Sequence, residues 1–439
     1  MIKQIKPNSL RILKENPKYC FVEDQQPDYV GNIVNFERVF RKRTIITRQN
    51  VMVVDSASDI RAKNYCILNA EYLINSKKQP TIIMTCFGEK VANCLTSSLL
   101  KHTYDIVEFD LENPKKSIGI NVFKSIFTNY KQALKDNPEY CKYYIDLVCN
   151  IAESIYQVDT DNDERCCNFI KAILLAQLED KKTTVNSFGI DKADDFLKQY
   201  LKSKSETYLD KYFNGKSKQC RYLAEFLLSC NAKRRQTLIK SICKALDNFQ
   251  TKEMRKFDSS QAIHSKFLCE IPTFVYIKLS EDNPAVNAYA PLLLEYLHTE
   301  ALIGSTKQKC KDVFFMLDHL DRQNAIYDLN FKIDQARINK IKYSATVDNL
   351  DNLFKLYGKQ TSQLLKNFEC KLFVSSNQPD DYQTLTIDVE YKKKIGKFHL
   401  NNTTKTKSYT LSLENLKDGE AILLEDSKEP VLVDIDFYN

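Results

Sequence analysis

Between Val51 and Phe127 the chain keeps changing period. An apolar run at 51–54 gives way to a helix-like segment near 61–75, an apolar run at 81–84, a second helix-like segment near 89–101 and a strand-like segment at 105–109. Short apolar runs alternating with helix-length stretches are the mark of βαβ units, because parallel strands covered on both faces carry apolar side chains on both. Few folds accept that pattern. It predicts an α/β domain around a mostly parallel sheet, with ligands expected beyond the carboxyl ends of the strands.

The first such end is the most informative. Val51 to Val54 runs into the polar turn Asp55-Ser56-Ala57-Ser58-Asp59 and then a helix containing Arg61-Ala62. That is the layout of a phosphate-binding P-loop without its chemistry. A working loop needs glycines so that backbone N–H groups can wrap phosphates, a lysine for the terminal phosphates and a hydroxyl for Mg²⁺. Here no glycine occurs between Gly31 and Gly88, Asp55 and Asp59 would repel phosphate, and Arg61-Ala62 stands where Lys-Ser/Thr should.

Beyond this the pattern changes. Residues 130–265 read as helical nearly throughout, with apolar residues at i, i+3 and i+4 around Tyr143 to Val148 and Phe169 to Leu175. Strand-like runs resume at 272–277, a helix follows over 288–301, and a buried-strand pattern at 313–317 ends in Asp318-His319. The tail suggests two short strands about Pro430, at 421–424 and 431–433.

Quoted in order, Ile67-Leu68-Asn69, Thr85 to Glu89, Tyr104 to Leu111 and Ser117 to Phe123 resemble the TraG-type coupling proteins of conjugation and type IV secretion. Arg337, Tyr343 to Asp348, Leu356-Tyr357-Gly358 and Asn367 to Val374 continue the resemblance. It implies a RecA-like P-loop nucleotide-domain fold with helices on both faces of the sheet. Residues 46–129 and 266–439 would form that domain, with a lead-in at 1–45, an inserted all-α domain at 130–265 and a closing β-hairpin at 409–438. Against the family pattern the reactive positions are substituted. His319 follows Asp318 where a Walker B glutamate polarises water, Asp348 takes the sensor glutamine position, and Arg337 is left as the candidate subunit-bridging arginine. The family implies a ring, but a monomer or mixed assembly is equally compatible once hydrolysis is lost.

Composition excludes several classes. The longest apolar runs are about a strand in length, short of the roughly 20 residues a membrane helix requires, and the N-terminus has no signal-peptide core. The expected location is cytoplasmic, with at most peripheral contact at the inner face of the cell membrane. Fourteen cysteines without C-x-x-C spacing, Cys66, Cys94, Cys149, Cys243 and Cys370 among them, read as small core residues in a reducing compartment. Five scattered histidines offer no metal-ligand spacing, and no cofactor is expected. A net charge of +7 permits a nucleic-acid partner without demanding one. The candidate contact patch is Lys216, Lys218, Arg221, Lys233, Arg234, Arg235, Lys240 and Lys244, with Tyr212, Phe213 and Tyr222 nearby for stacking.

Three functions remain open on this reading. The first is an inactive coupling-protein homologue that scaffolds a DNA or protein transfer substrate, an active paralogue or another type IV secretion component. The second is a divergent ATPase using Arg61 or Lys63 on phosphate. The third is a non-sequence-specific DNA-binding module.

Overall fold

The short apolar runs fold as strands of one sheet. The computed structural model describes residues 3–5, 19–22, 32–37, 43–47, 49–55, 59–88, 90–113, 117, 121–156, 161–203, 205, 207–247, 249, 265–306, 310–374, 384–392, 404–412, 416, 420–425 and 430–434. In chain order the strands are β1 (Lys3–Ile5), β2 (Tyr19–Val22), β3 (Asn32–Glu37), β4 (Arg43–Thr47), β5 (Val51–Val54), β6 (Thr81–Phe87), β7 (Asp105–Asp110) and β8 (Thr273–Leu279). They continue as β9 (Val313–Leu317), β10 (Ile341–Val347), β11 (Cys370–Val374), β12 (Thr384–Lys392), β13 (Thr404–Ser412), β14 (Glu420–Glu425) and β15 (Val431–Asp434). The helices are α1 (Asp59–Asn75), α2 (Lys90–Lys101), α3 (Val122–Asp136), α4 (Cys141–Ile155), α5 (Asp161–Glu179), α6 (Ile190–Ser203) and α7 (Tyr208–Phe213). After them come α8 (Lys218–Ser229), α9 (Ala232–Asp247), α10 (Ser265–Glu270), α11 (Tyr289–Ser305), α12 (Leu329–Arg337), α13 (Leu350–Tyr357) and α14 (Thr361–Asn367).

Nine strands form the main sheet in the order β15-β14-β11-β5-β10-β9-β6-β8-β7. From β11 to β7 every pair is parallel, whereas β14 and β15 close the edge antiparallel. The mostly parallel α/β sheet expected from the alternation is therefore present. Side chains alternate between two apolar layers. Val51, Val53, Ile82, Met84, Phe314 and Met316 pack with α1 and α2 residues such as Tyr65, Cys66 and Leu95. On the other face Met52, Ile83, Val275, Phe315 and Tyr343 join a larger core with the helices that follow β7.

Asn50 sets β5 between its neighbours. Its Oδ1 accepts the Tyr343 amide at 2.9 Å, its carbonyl accepts the Cys370 amide at 3.1 Å, and its own amide donates to Glu369 Oε2 at 2.9 Å. One buried residue, through its side chain toward β10 and its backbone toward β11, thus ties both neighbours to β5, where a slip would move every apolar side chain to the wrong face.

The helical run opens at Val122, earlier than the expected 130, because Asn121 caps α3 by accepting the Lys124 amide at 3.1 Å. Helix α11 is buried on all sides, consistent with its lack of a polar stripe, and carries Glu295, His298 and Glu300 into the interior. The expected closing hairpin at 409–438 divides between two sheets. β14 and β15 pair with each other about Pro430, whereas Tyr409 to Ser412 lie in β13, which pairs with β12 and β1. Long-range pairing decides this, and local pattern does not report it. Strands β2, β4 and β3 form a separate antiparallel sheet within the expected lead-in.

Candidate functional site

Strands β5, β10 and β9 lie side by side, so Asp55, Asp348 and Asp318 meet beyond their carboxyl ends. Asp55 is buried, and its amide donates to the Val347 carbonyl at 3.0 Å, extending the β5–β10 pairing past the strands. Ser56 and Ser58 fall outside the described residues. Asp59, Arg61 and Ala62 lie in the first turns of α1, the helix that follows β5 in the chain.

Asp318 is fully buried. Its Oδ1 accepts the Thr346 hydroxyl at 2.9 Å and approaches the Cys66 thiol at 3.8 Å, while its Oδ2 has no hydrogen-bond partner. Burial first, and then the Asp318 carboxylate, push the Cys66 thiol well above its usual range. The backbone turns sharply at His319, whose φ of 49° lies in the left-handed region that a histidine adopts only at a cost. The Thr346 hydroxyl accepts the His319 amide at 2.8 Å, and the Gln323 amide donates to the Thr85 hydroxyl at 2.8 Å and to the Asp318 carbonyl.

The His319 ring is buried against Phe87 with ring centroids 6.1 Å apart. Its Nδ1 stands 3.6 Å from Asp318 Oδ1 and 3.4 Å from Asp348 Oδ1. Asp348 also pairs with Arg322, and Asp321 accepts the Asp348 and Asn349 amides at 3.1 and 3.0 Å. Chemically this is a rigid arrangement of carboxylates around a buried imidazole. Among the described residues, no group of three or more histidine, cysteine or acidic side chains is placed to hold a metal ion.

Arg337 is engaged within its own chain: its Nε lies 3.3 Å from Glu369 Oε1 and its Nη2 3.4 Å from the Asn367 carbonyl. The basic candidates divide. Lys218, Arg221, Lys233, Arg234, Lys240 and Lys244 are exposed, whereas Lys216 pairs with Asp180 at 2.5 Å and lies over the Tyr212 ring.

Arg235 corrects the expectation of a surface contact. It is buried and donates to the carbonyls of Leu227, Leu228 and Cys230, satisfying the last turn of α8. Of the three aromatics, Phe213 is buried and Tyr222 is 75% exposed. The described cysteines are free thiols, and Cys94 is exposed, contrary to its expected place in the core. Sequence reasoning missed Thr346, Gln323 and Arg322; the proximity of the first two to a strand end was the available signal.

The arrangement is an α/β fold with its candidate site beyond the carboxyl ends of the central parallel strands. No protein-family model matches the sequence, and no curated protein sequence matches it. Solved structures do. Plasmid coupling protein TrwB in complex with the GTP analogue GDPNP superposes with a TM-score of 0.57 at 12% identity, covering 89% of this chain and 86% of that one. The bacterial conjugative coupling protein TrwBdeltaN70, in its trigonal form with sulphate, gives 0.55 at 13% identity over 89% and 86%. TrwB with an ATP analogue gives 0.51 at 13% identity, over 82% of this chain and 86% of that one. This likeness is one of fold, and at that level the resemblance to coupling proteins read from the sequence is borne out.

Proposed function

We propose that this chain is a catalytically inactive relative of the coupling ATPases, acting as a scaffold in DNA or protein transfer. Its partner would be a transfer substrate, a nucleotide-active paralogue or another type IV secretion component. The observation that carries this reading is the row of Asp55, Asp348 and Asp318 at the ends of three adjacent strands, with His319 buried between two of them. A triphosphate brought to the end of β5 meets the Asp55 carboxylate where it requires glycine amides and lysine, and His319 stands where a water-polarising glutamate is needed; buried like charges are poorly screened.

TrwB holds GDPNP in its own structure, so nucleotide is the ligand to test. Calorimetry with Mg-ATP and with ADP is expected to give no heat, and a thermal scan no shift, since any ligand of the native state raises its apparent stability. Binding that disappears in Arg61→Ala would establish the divergent-ATPase reading instead.

A DNA-binding module remains as a second reading because Lys218, Arg221, Lys233, Lys240, Lys244 and the 75% exposed Tyr222 lie on neighbouring helices. Oligonucleotide affinity falling steeply with salt would support it, through release of counterions. An affinity indifferent to salt would remove it.

A further inference from the structure

The opposite edge of the sheet has a chemistry of its own. Because β6, β8, β9 and β10 run parallel, the segments leading into them emerge on one side, away from Asp318 and Asp348. There Lys78, Lys311, Lys340 and Lys342 line a cleft of about 540 Å³, with Asp312 the one acid among its described lining residues.

These segments are tied to each other. Lys311 Nζ donates to the Lys78 carbonyl at 3.1 Å and Lys340 Nζ to the Cys310 carbonyl at 2.8 Å. Each bond uses one of three ammonium protons, and both partners are neutral, so the positive charge is positioned without being neutralised there. Desolvation lowers the Lys311 pKa below its ordinary value, and an adjacent anion would offset that cost.

Two further features select the anion. Ile338, on the turn that leads to Lys340, is 89% exposed, and Ile271, before β8, is 38% exposed. The lining contains no arginine, and its aromatic residue, Phe314, is buried. Single-stranded nucleic acid is held by exposed aromatic platforms and arginine stacking; among the described lining residues there is neither, and the neighbouring Arg337 is paired with Glu369. Lysine point charges beside projecting aliphatic side chains suit a surface of phosphate headgroups over an apolar layer. We propose that the amino-terminal edge of the sheet docks peripherally on an anionic lipid surface, with Lys78, Lys311, Lys340 and Lys342 over the headgroups and Ile338 entering the interface. No helix among the described residues is long and apolar enough to cross a membrane, so a contact of this kind is peripheral.

The proposal gives the scaffold a surface to work on and rests on that reading for its purpose; nucleotide calorimetry decides the scaffold reading, and vesicle binding decides this one. The test is co-sedimentation of the full chain with phosphatidylcholine vesicles with and without phosphatidylglycerol. Binding is expected only to the anionic vesicles, and it is expected to weaken as salt screens the surface. Each lysine near an anionic surface is worth about fivefold. Lys78→Gln with Lys340→Gln is therefore expected to weaken binding by roughly 25-fold. Ile338→Ser should weaken it further, and Lys355→Gln with Lys359→Gln, exposed and outside the described lining of this cleft, should leave it unchanged.

Circular dichroism verifies that each variant is folded. Independently of any variant, anionic vesicles are expected to protect Lys78 and Lys340 from acetylation. Failure to bind anionic vesicles, equal binding to neutral ones, or retention of binding by the folded double variant overturns the proposal. So does an oligonucleotide that protects these lysines when vesicles do not, which would assign the edge to nucleic acid.

Discussion

The Thr346 hydroxyl donates to Asp318 Oδ1 at 2.9 Å and accepts the His319 amide at 2.8 Å, locking the end of β9 to β10. Removing it strands a buried carboxylate oxygen and a buried amide together. Thr346→Val keeps the shape and is expected to destabilise by about 2–4 kcal/mol, whereas Thr346→Ser, which keeps the hydroxyl, should cost much less. Urea unfolding of both variants checks this; a Thr346→Val loss no greater than that of Thr346→Ser would show that the hydroxyl's bonds do not carry the stability.

Glu295 on α11 and Lys332 on α12 form a buried ion pair at 2.7 Å. Burial raises the Glu295 pKa, and Lys332 works against that shift. Lys332→Met leaves the carboxylate without its counter-charge and is expected to cost about 3–5 kcal/mol, while Glu295→Leu combined with Lys332→Met is expected to recover most of the loss. A double-mutant cycle in denaturant measures the coupling. Additive losses would refute this account.

His298 is buried beside Tyr343, whose hydroxyl lies 2.8 Å from its Nδ1. Desolvation first, and then nearby Lys332, lower its pKa to about 3. The unfolded chain, with an ordinary histidine, binds the proton more readily. The contribution of neutral His298 is therefore full above about pH 6.5 and is lost progressively as pH falls toward 3. Glu295, with its pKa raised, contributes with the opposite sign, its share being lost as pH rises. Chemical denaturation between pH 7 and 4 is expected to show wild-type stability falling more steeply than that of His298→Gln. Parallel profiles would show that His298 does not carry the dependence.

Much of the fold was legible because parallel strands announce themselves. The runs at 51–54, 81–84 and 313–317 became strands, each short, apolar on both faces and bounded by helix-period sequence, and 105–109, with Asp105 and Glu108, became the edge strand β7. What could not be read was pairing. Nothing local tells β13 that it belongs beside β12 and β1 and not in the terminal hairpin. Nor does charge alone separate Arg235, drawn inward by three carbonyls, from the exposed Arg234 one residue earlier. The carboxylates of the candidate site were legible as substitutions at strand ends, but the Thr346 bridge depends on register between β9 and β10. Helix α11 left a readable trace in being apolar all round, and its interior acids did not.

The position of Asn50 between β10 and β11 bears on how the chain is made. The partners that Asn50 fixes, Tyr343 and Cys370, follow it in the chain by some 290 to 320 residues. At about 5–20 residues per second, the central strand waits roughly 15–60 s for either neighbour. During that interval the helices between β7 and β8 can already form on local contacts. During synthesis, therefore, the apolar strand β5 is expected to stand unpaired until β10 or β11 arrives, an aggregation-exposed interval.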